Sequence, residues 1–151
     1  MLELGIKETQ IAIKMIKDNF ETNLADKLNL IRVSAPLFVK SDSGLNDNLT
    51  GVEMPVSFNM TRYGKRIEIV QSLAKWKRMA LKWYEFEAGE GIYADMDAIR
   101  PDEVLDPTHS IYVDQWDWEK IILDSDRNEQ YLRDTVEEIY RVFKETEEKT
   151  I

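Results

Sequence analysis

The sequence predicts an α+β fold in which an antiparallel sheet is flanked by helices. Two observations carry that expectation. Segments with apolar residues at helical spacing alternate with segments of period two, in the order helix, strands, helix, strands, helix. Between two alternating runs, Tyr63-Gly64-Lys65 marks the turn of a β-hairpin.

Ile13, Ile16, Phe20, Leu24 and Leu28 fall at spacings of three and four, so the first thirty residues read as one amphipathic helix. Lys14, Lys17, Asp18, Glu21 and Lys27 populate its opposite, solvated face. From Leu30 to Val39 the period changes, with β-branched Ile31 and Val33 alternating with Arg32 and Ser34 as in a strand. Pro36 inside that run has no N–H to donate, which favours an edge strand or one packed at an interface. Ser41 to Gly51 is a loop by its density of Gly, Asn, Asp and Ser. Val56, Phe58 and Met60, then Ile67 and Ile69, supply the two arms of the hairpin. Ser72 can cap a helix from about Leu73 to Phe86, and Gly89-Glu90-Gly91 breaks the chain after it. Two more strands are predicted, Ile92 to Arg100 and Ser110 to Trp118, joined by a loop containing Pro101 and Pro107. A last helix runs from Asn128 to Glu148 with Leu132, Val136, Ile139 and Phe143 on one face.

A length of 151 residues suits one domain, and no internal repeat, low-complexity tract or linker divides it. Hydrophobic residues make up 43% of the chain, enough for a folded core. No apolar run reaches the roughly 18 to 20 residues of a membrane helix. Met1-Leu2-Glu3-Leu4-Gly5 lacks the basic segment and apolar core of a secretory signal, so a cytoplasmic protein is expected. The absence of cysteine excludes disulfides, thiolate metal sites and cysteine nucleophiles. A formal net charge of −9 argues against broad binding to nucleic acid, although a few focused cations can still hold a small anion.

No glycine-rich phosphate loop is present, because Gly89-Glu90-Gly91 lacks the further glycines and the lysine. His109 stands alone, with no acids at metal-ligand spacing. Two constellations remain. In Ser72-Leu73-Ala74-Lys75-Trp76-Lys77-Arg78, Lys75 and Lys77 diverge by roughly 200° on a helix, so both cannot face one ligand. Periodicity alone also allows a cationic surface helix with Trp76 buried. In the second, running from Ala98 to Glu103 and from His109 to Trp118, Val113, Gln115 and Asp117 share one face of a strand. A carboxylate in mid-sheet pairs with a cation such as Lys77 or Arg100, or awaits a cationic ligand group, unless that face is simply exposed. Arg100 at its strand end suits bidentate grip of a phosphate or carboxylate. Asn46-Asp47-Asn48-Leu49 offers a carboxylate between two amides, and by itself reads as a turn.

These segments, in this order, resemble the asparagine synthetase A family, the aspartate–ammonia ligases. The stretches that carry the resemblance are Leu30 to Pro36, Asp47-Asn48-Leu49-Thr50-Gly51, Ser72 to Arg78, Ala88-Gly89-Glu90-Gly91, Arg100-Pro101-Asp102-Glu103 and His109 to Glu119. It spans nearly the whole chain from the first helix onward. The resemblance implies a partial class II aminoacyl-tRNA synthetase catalytic core, with residues 1–151 as the amino-terminal portion of one domain. The first helix and the Pro36 strand then resemble motif 1, through which a homodimer forms. The strands around Arg100 and Val113 resemble motif 2, which holds ATP.

The implied reaction uses ATP and magnesium to convert L-aspartate to an aspartyl-adenylate, which ammonia attacks to give asparagine and AMP. Carried over residue by residue, Arg100 binds the α-phosphate, and Ser72, Lys77, Gln115 and Asp117 hold aspartate. Asp47 takes a proton from ammonia, and His109 and Val113 line the adenine pocket. The family runs to about twice this length, so magnesium ligands and motif 3 are expected in a missing half. This chain is then a fragment. A truncated, non-catalytic dimerisation or ligand-binding module is the alternative reading. A tRNA-binding synthetase is disfavoured by the acidic balance.

Overall fold

The computed structural model describes residues 4–47 and 49–150. Met1-Leu2-Glu3 of the amino-terminal reading, Asn48 of the loop motif and Ile151 lie outside the described residues. In chain order the elements are α1 (Ile6–Leu28), β1 (Leu30–Arg32), β2 (Phe38–Lys40), β3 (Ser57–Met60), β4 (Lys65–Ile69), α2 (Ala74–Trp83), β5 (Gly91–Ile99), β6 (Tyr112–Lys120) and α3 (Glu129–Thr150). The α+β order expected from periodicity is the order observed.

The predicted strand from Leu30 to Val39 divides in two. Leu30–Arg32 pairs with β5, and Phe38–Lys40 pairs with β4 in a second sheet. Pro36 belongs to neither strand, because the chain crosses from one sheet to the other between Val33, whose N–H bonds to Tyr93 O, and Leu37, whose carbonyl accepts from Val70. A residue without an N–H sits where no ladder bond is required. The hairpin is present as β3 and β4, paired from Ser57↔Glu68 to Met60↔Lys65.

The sheet that matters here has the order β1-β5-β6. Strands β5 and β6 are antiparallel over nine pairs, from Gly91↔Lys120 to Ile99↔Tyr112. Against the purely antiparallel expectation, β1 joins parallel to β5. The long connection that parallel pairing demands is supplied by the hairpin sheet and α2.

Period two gives β5 two faces. Ile92, Ala94, Met96 and Ala98 face Leu73, Trp76, Ala80 and Leu81 of the α2 segment in one core. Tyr93 faces Leu24 and Leu28 of α1 and Val142 of α3 in the other, with Trp116, Trp118 and Ile139 at its margin. The two terminal helices therefore cover one face and α2 the other. Their predicted apolar stripes are only partly used. On α1 the buried residues are Leu24, Ala25 and Leu28, whereas Ile13 and Ile16 are exposed. On α3 the contact line runs through Ile139, Val142 and Thr146, leaving Leu132, Val136 and Phe143 of the predicted stripe exposed. Among the described residues no helix is long and apolar enough to cross a membrane.

Candidate active site

The α2-facing side of the sheet collects the polar residues that the sequence singled out. Alternation along β6 puts Val113, Gln115, Asp117 and Glu119 on that face, opposite Ala98, Met96, Ala94 and Ile92 of β5. The small side chains of Ala94 and Ala98 leave room there for larger neighbours. Val113 packs on the α2-side core. Gln115 reaches across to Met96 Sδ, with Nε2 donating at 3.5 Å.

Above them lies α2. Its helical turn separates Lys75 from Lys77, as expected. Lys77 is inward and its side chain is only 2% exposed. Its Nζ donates to Trp118 O at 2.9 Å and lies 2.6 Å from Asp117 Oδ1, with Glu119 Oε2 at 3.8 Å. Lys77 thus departs from the cationic surface helix that periodicity allowed, whereas Trp76 is buried and Lys75 and Arg78 are exposed as that reading required. Of the outcomes open to Asp117, pairing with Lys77 is the one observed. The carboxylate is still a quarter exposed, so one side of it faces space that α2 does not fill.

Ser72 Oγ accepts from Ala74 N at 3.2 Å, one residue ahead of the helix boundary occupied by Leu73. It thus serves a first-turn N–H as the sequence suggested. Lys75 points instead to the 41–51 loop. Its Nζ donates to Asn46 O at 3.4 Å and lies 3.7 Å from Asp47 Oδ1. Asn46 fastens this loop to the body of the protein. Its Nδ2 donates to Glu68 Oε2 and Ile69 O, and its Oδ1 accepts from Gln71 N at 2.9 Å. Asp47 is held beside α2 by its neighbour's anchorage.

Arg100 follows β5 directly and closes the strand pair, its N–H donating to Ile111 O at 2.8 Å. Its Nε is buried and has no hydrogen-bond partner among the described residues. Arg100 lines a recess of about 90 Å³ together with Leu49, Glu53, Gln71, Asp102 and Glu103. His109 lies in the exposed turn between β5 and β6, bridged to Asp106 in both the backbone and the side chain, with Nδ1 2.8 Å from Asp106 Oδ2. Thr108 N–H and His109 hold the Asp106 carboxyl below its ordinary range. The polar contacts of His109 are thus local to its turn.

Two residues of this region escaped sequence reasoning. Glu119 adds a second carboxylate near Lys77, a position foreshadowed only by its place two residues after Asp117. Gln71, just before Ser72, is fully buried, and neither amide atom has a partner among the described residues. Among the described residues no group of three His, Cys, Asp or Glu side chains could hold a metal ion.

The architecture resembles part of a tRNA synthetase fold. It is similar to a pyrrolysyl tRNA synthetase of Desulfitobacterium hafniense with a TM-score of 0.60, over 87% of this chain and 45% of that one. Identity there is 12%, so the likeness is one of fold alone. The chain belongs to the aspartate–ammonia ligase family, whose sequence pattern matches residues 7–151. It is similar to the aspartate–ammonia ligases of Clostridium tetani (66% identity over 147 residues), Fusobacterium nucleatum (65% over 145) and Bacillus cytotoxicus (60% over 145). The matches cover 96 to 97% of this chain but only 43 to 44% of those relatives. The chain spans less than half the length of the relatives it matches.

Proposed function

We propose that this chain contributes part of one catalytic domain of an enzyme that joins ammonia to L-aspartate at the expense of ATP, through an aspartyl-adenylate. The observation that carries the reading is the Lys77–Asp117 pair, 2.6 Å apart on the helix-covered face of the sheet, with Gln115 on the same strand face. A pair buried at one end and open at the other is costly as scaffold, and useful where an ammonium must be held in a fixed place. Asp117 receives the α-ammonium of aspartate. Lys77 orients Asp117, and its positive charge draws a substrate carboxylate toward the pair. Gln115 and Ser72 complete the amino-acid contacts.

Arg100, at the end of β5, binds the α-phosphate and stabilises charge that develops on it. Val113 and His109 border the adenine. Asp47 accepts a proton as ammonia attacks. Magnesium, when bound, neutralises phosphate charge, and its ligands come from outside the described residues. Association as a homodimer through α1 and the Pro36 segment fits the exposed Ile13 and Ile16, and the substrates place the enzyme in the cytoplasm.

The test separates the two half-reactions in an enzyme of the relatives' full length that carries this chain. Arg100→Ala lowers aspartate-dependent exchange of pyrophosphate into ATP by about 10²- to 10³-fold. Asp47→Asn retains exchange, while asparagine formation falls by about 10²-fold. Full activity in both variants overturns these assignments. Aspartate binding without exchange in the unsubstituted enzyme would favour a non-catalytic module.

A further inference from the structure

We propose that Gln71 is a direct contact for the carboxyl group that is activated and amidated, acting beside Arg100; the proposal rests on the ligase reading above. Gln71 has no exposed surface, and neither Nε2 nor Oε1 has a hydrogen-bond partner among the described residues. Native interiors rarely leave a whole carboxamide unsatisfied, because its desolvation is then uncompensated. An apolar side chain of similar length would fill the position at no such cost. The residue is not loosely placed either, since its backbone N–H is bonded to Asn46 Oδ1 at 2.9 Å.

The position explains the exception. Gln71 lines the same recess as Arg100, whose Nε is the second buried donor without a partner there. Its volume of about 90 Å³ has room for a carboxyl group. Gln71 Nε2 and Arg100 Nε, on two residues that line this recess, are donors of the kind a carboxylate's oxygens accept from. Gln71 Oε1 has no use for a carboxylate, but it accepts an N–H from the nitrogen that replaces one oxygen. A carboxamide is therefore complementary to the amide product as well as to the reacting acyl group. The loop bearing Asp47 is tied to Gln71 through Asn46, which joins this contact to the residue proposed to take the ammonia proton.

A structural amide and a substrate-contacting one respond oppositely to substitution. In the complete enzyme carrying this chain, Gln71→Met removes an unsatisfied group, so the unliganded melting temperature is unchanged or higher. KM for aspartate rises at least tenfold, KM for ATP moves less than twofold, and stabilisation by added asparagine is lost. Gln71→Glu keeps the size, substitutes an acceptor for the donor and raises KM for aspartate further. The proposal stands only if KM for aspartate rises in both variants without a lower melting temperature in Gln71→Met. An unchanged KM, or a raised KM with a lowered melting temperature, overturns it in favour of a scaffold role. Absence of any aspartate-dependent turnover in the unsubstituted enzyme would instead remove the ligase reading itself.

Discussion

Tyr93 and Lys77 stand on opposite faces of the same sheet and show two ways of keeping a polar group inside it. Lys77 is charged, and is tolerated because Asp117, Glu119 and the Trp118 carbonyl surround its Nζ. Tyr93 stays neutral. Burial pushes its phenol up to about 12, and the nearby Glu21 carboxylate adds to the effect. The sign follows. The unfolded phenol ionises near pH 10, while the folded one holds its proton to about pH 12. Its contribution to stability is complete below pH 10 and is lost as the pH rises through 12. Tyr93→Phe cannot ionise, so urea denaturation at pH 9 and pH 11.5 should show the parent losing about 2 kcal/mol more than the variant over that interval. Parallel losses would show that the phenol is not held neutral by the fold. At this scale the sequence was informative wherever period two applies. It put Gln115 and Asp117 on one face without structural help. It could not show which cation Asp117 takes, because Lys77 comes from a helix whose position over the sheet is a tertiary fact. Gln71 was illegible for the same reason: an unpartnered amide is visible only once its neighbours are in place.

Among the elements, β5 is the one on which the rest is registered, and Gly91 at its start fixes that register. A Cβ built there would come within 2.6 Å of Glu119 O, 2.6 Å of Leu30 Cδ2 and 3.0 Å of Lys120 Cα. Two of these are backbone atoms of the paired strand, which cannot swing aside as a flexible side chain can. Gly91→Ala therefore forces β5 and β6 apart at the end where Trp118 and Glu119 meet Lys77. It should cost about 1 to 3 kcal/mol in chemical denaturation, as overpacking does, and weaken aspartate binding through the displaced β6. A stable variant with unaltered binding would mean the strands can part without moving the site. Turn chemistry in the sequence marked Gly89-Glu90-Gly91 as a break, yet only the β1-β5-β6 packing shows that its last glycine is required for space. Pro36 teaches a similar lesson. Its missing N–H favoured an edge strand or an interface, and it lies between β1 and β2, each the edge strand of its own sheet.

Over the whole molecule the hydrophobic faces are incompletely paired with one another. Strand β6 ends the sheet order β1-β5-β6, and beside it a groove runs along Trp118, Ile122, Tyr131 and Leu132 to the start of α3. Leu132 and Val136 are 62% and 54% exposed, although helical spacing alone would have placed both in a core. The stripe on α3 is wider than its contact with α1, and amphipathicity reports the stripe and not the occupant. The net charge of −9 opposes self-association, but its effect is screened over about 8 Å at physiological salt, and apolar contact acts at shorter range. The 151-residue chain should therefore self-associate at micromolar concentration through these faces. Leu132→Glu combined with Val136→Lys tests this directly. The pair sits at i and i+4 with the acid amino-terminal to the base, the favourable order on a helix, worth about 0.2 to 0.5 kcal/mol. Because neither parent side chain is buried, the double variant should melt within about 3 °C of the parent. Sedimentation velocity should show fewer species larger than the homodimer proposed through α1 and the Pro36 segment. A larger fall in melting temperature would show that Leu132 and Val136 already contribute to the core of this chain, and unchanged sedimentation would place the self-association elsewhere.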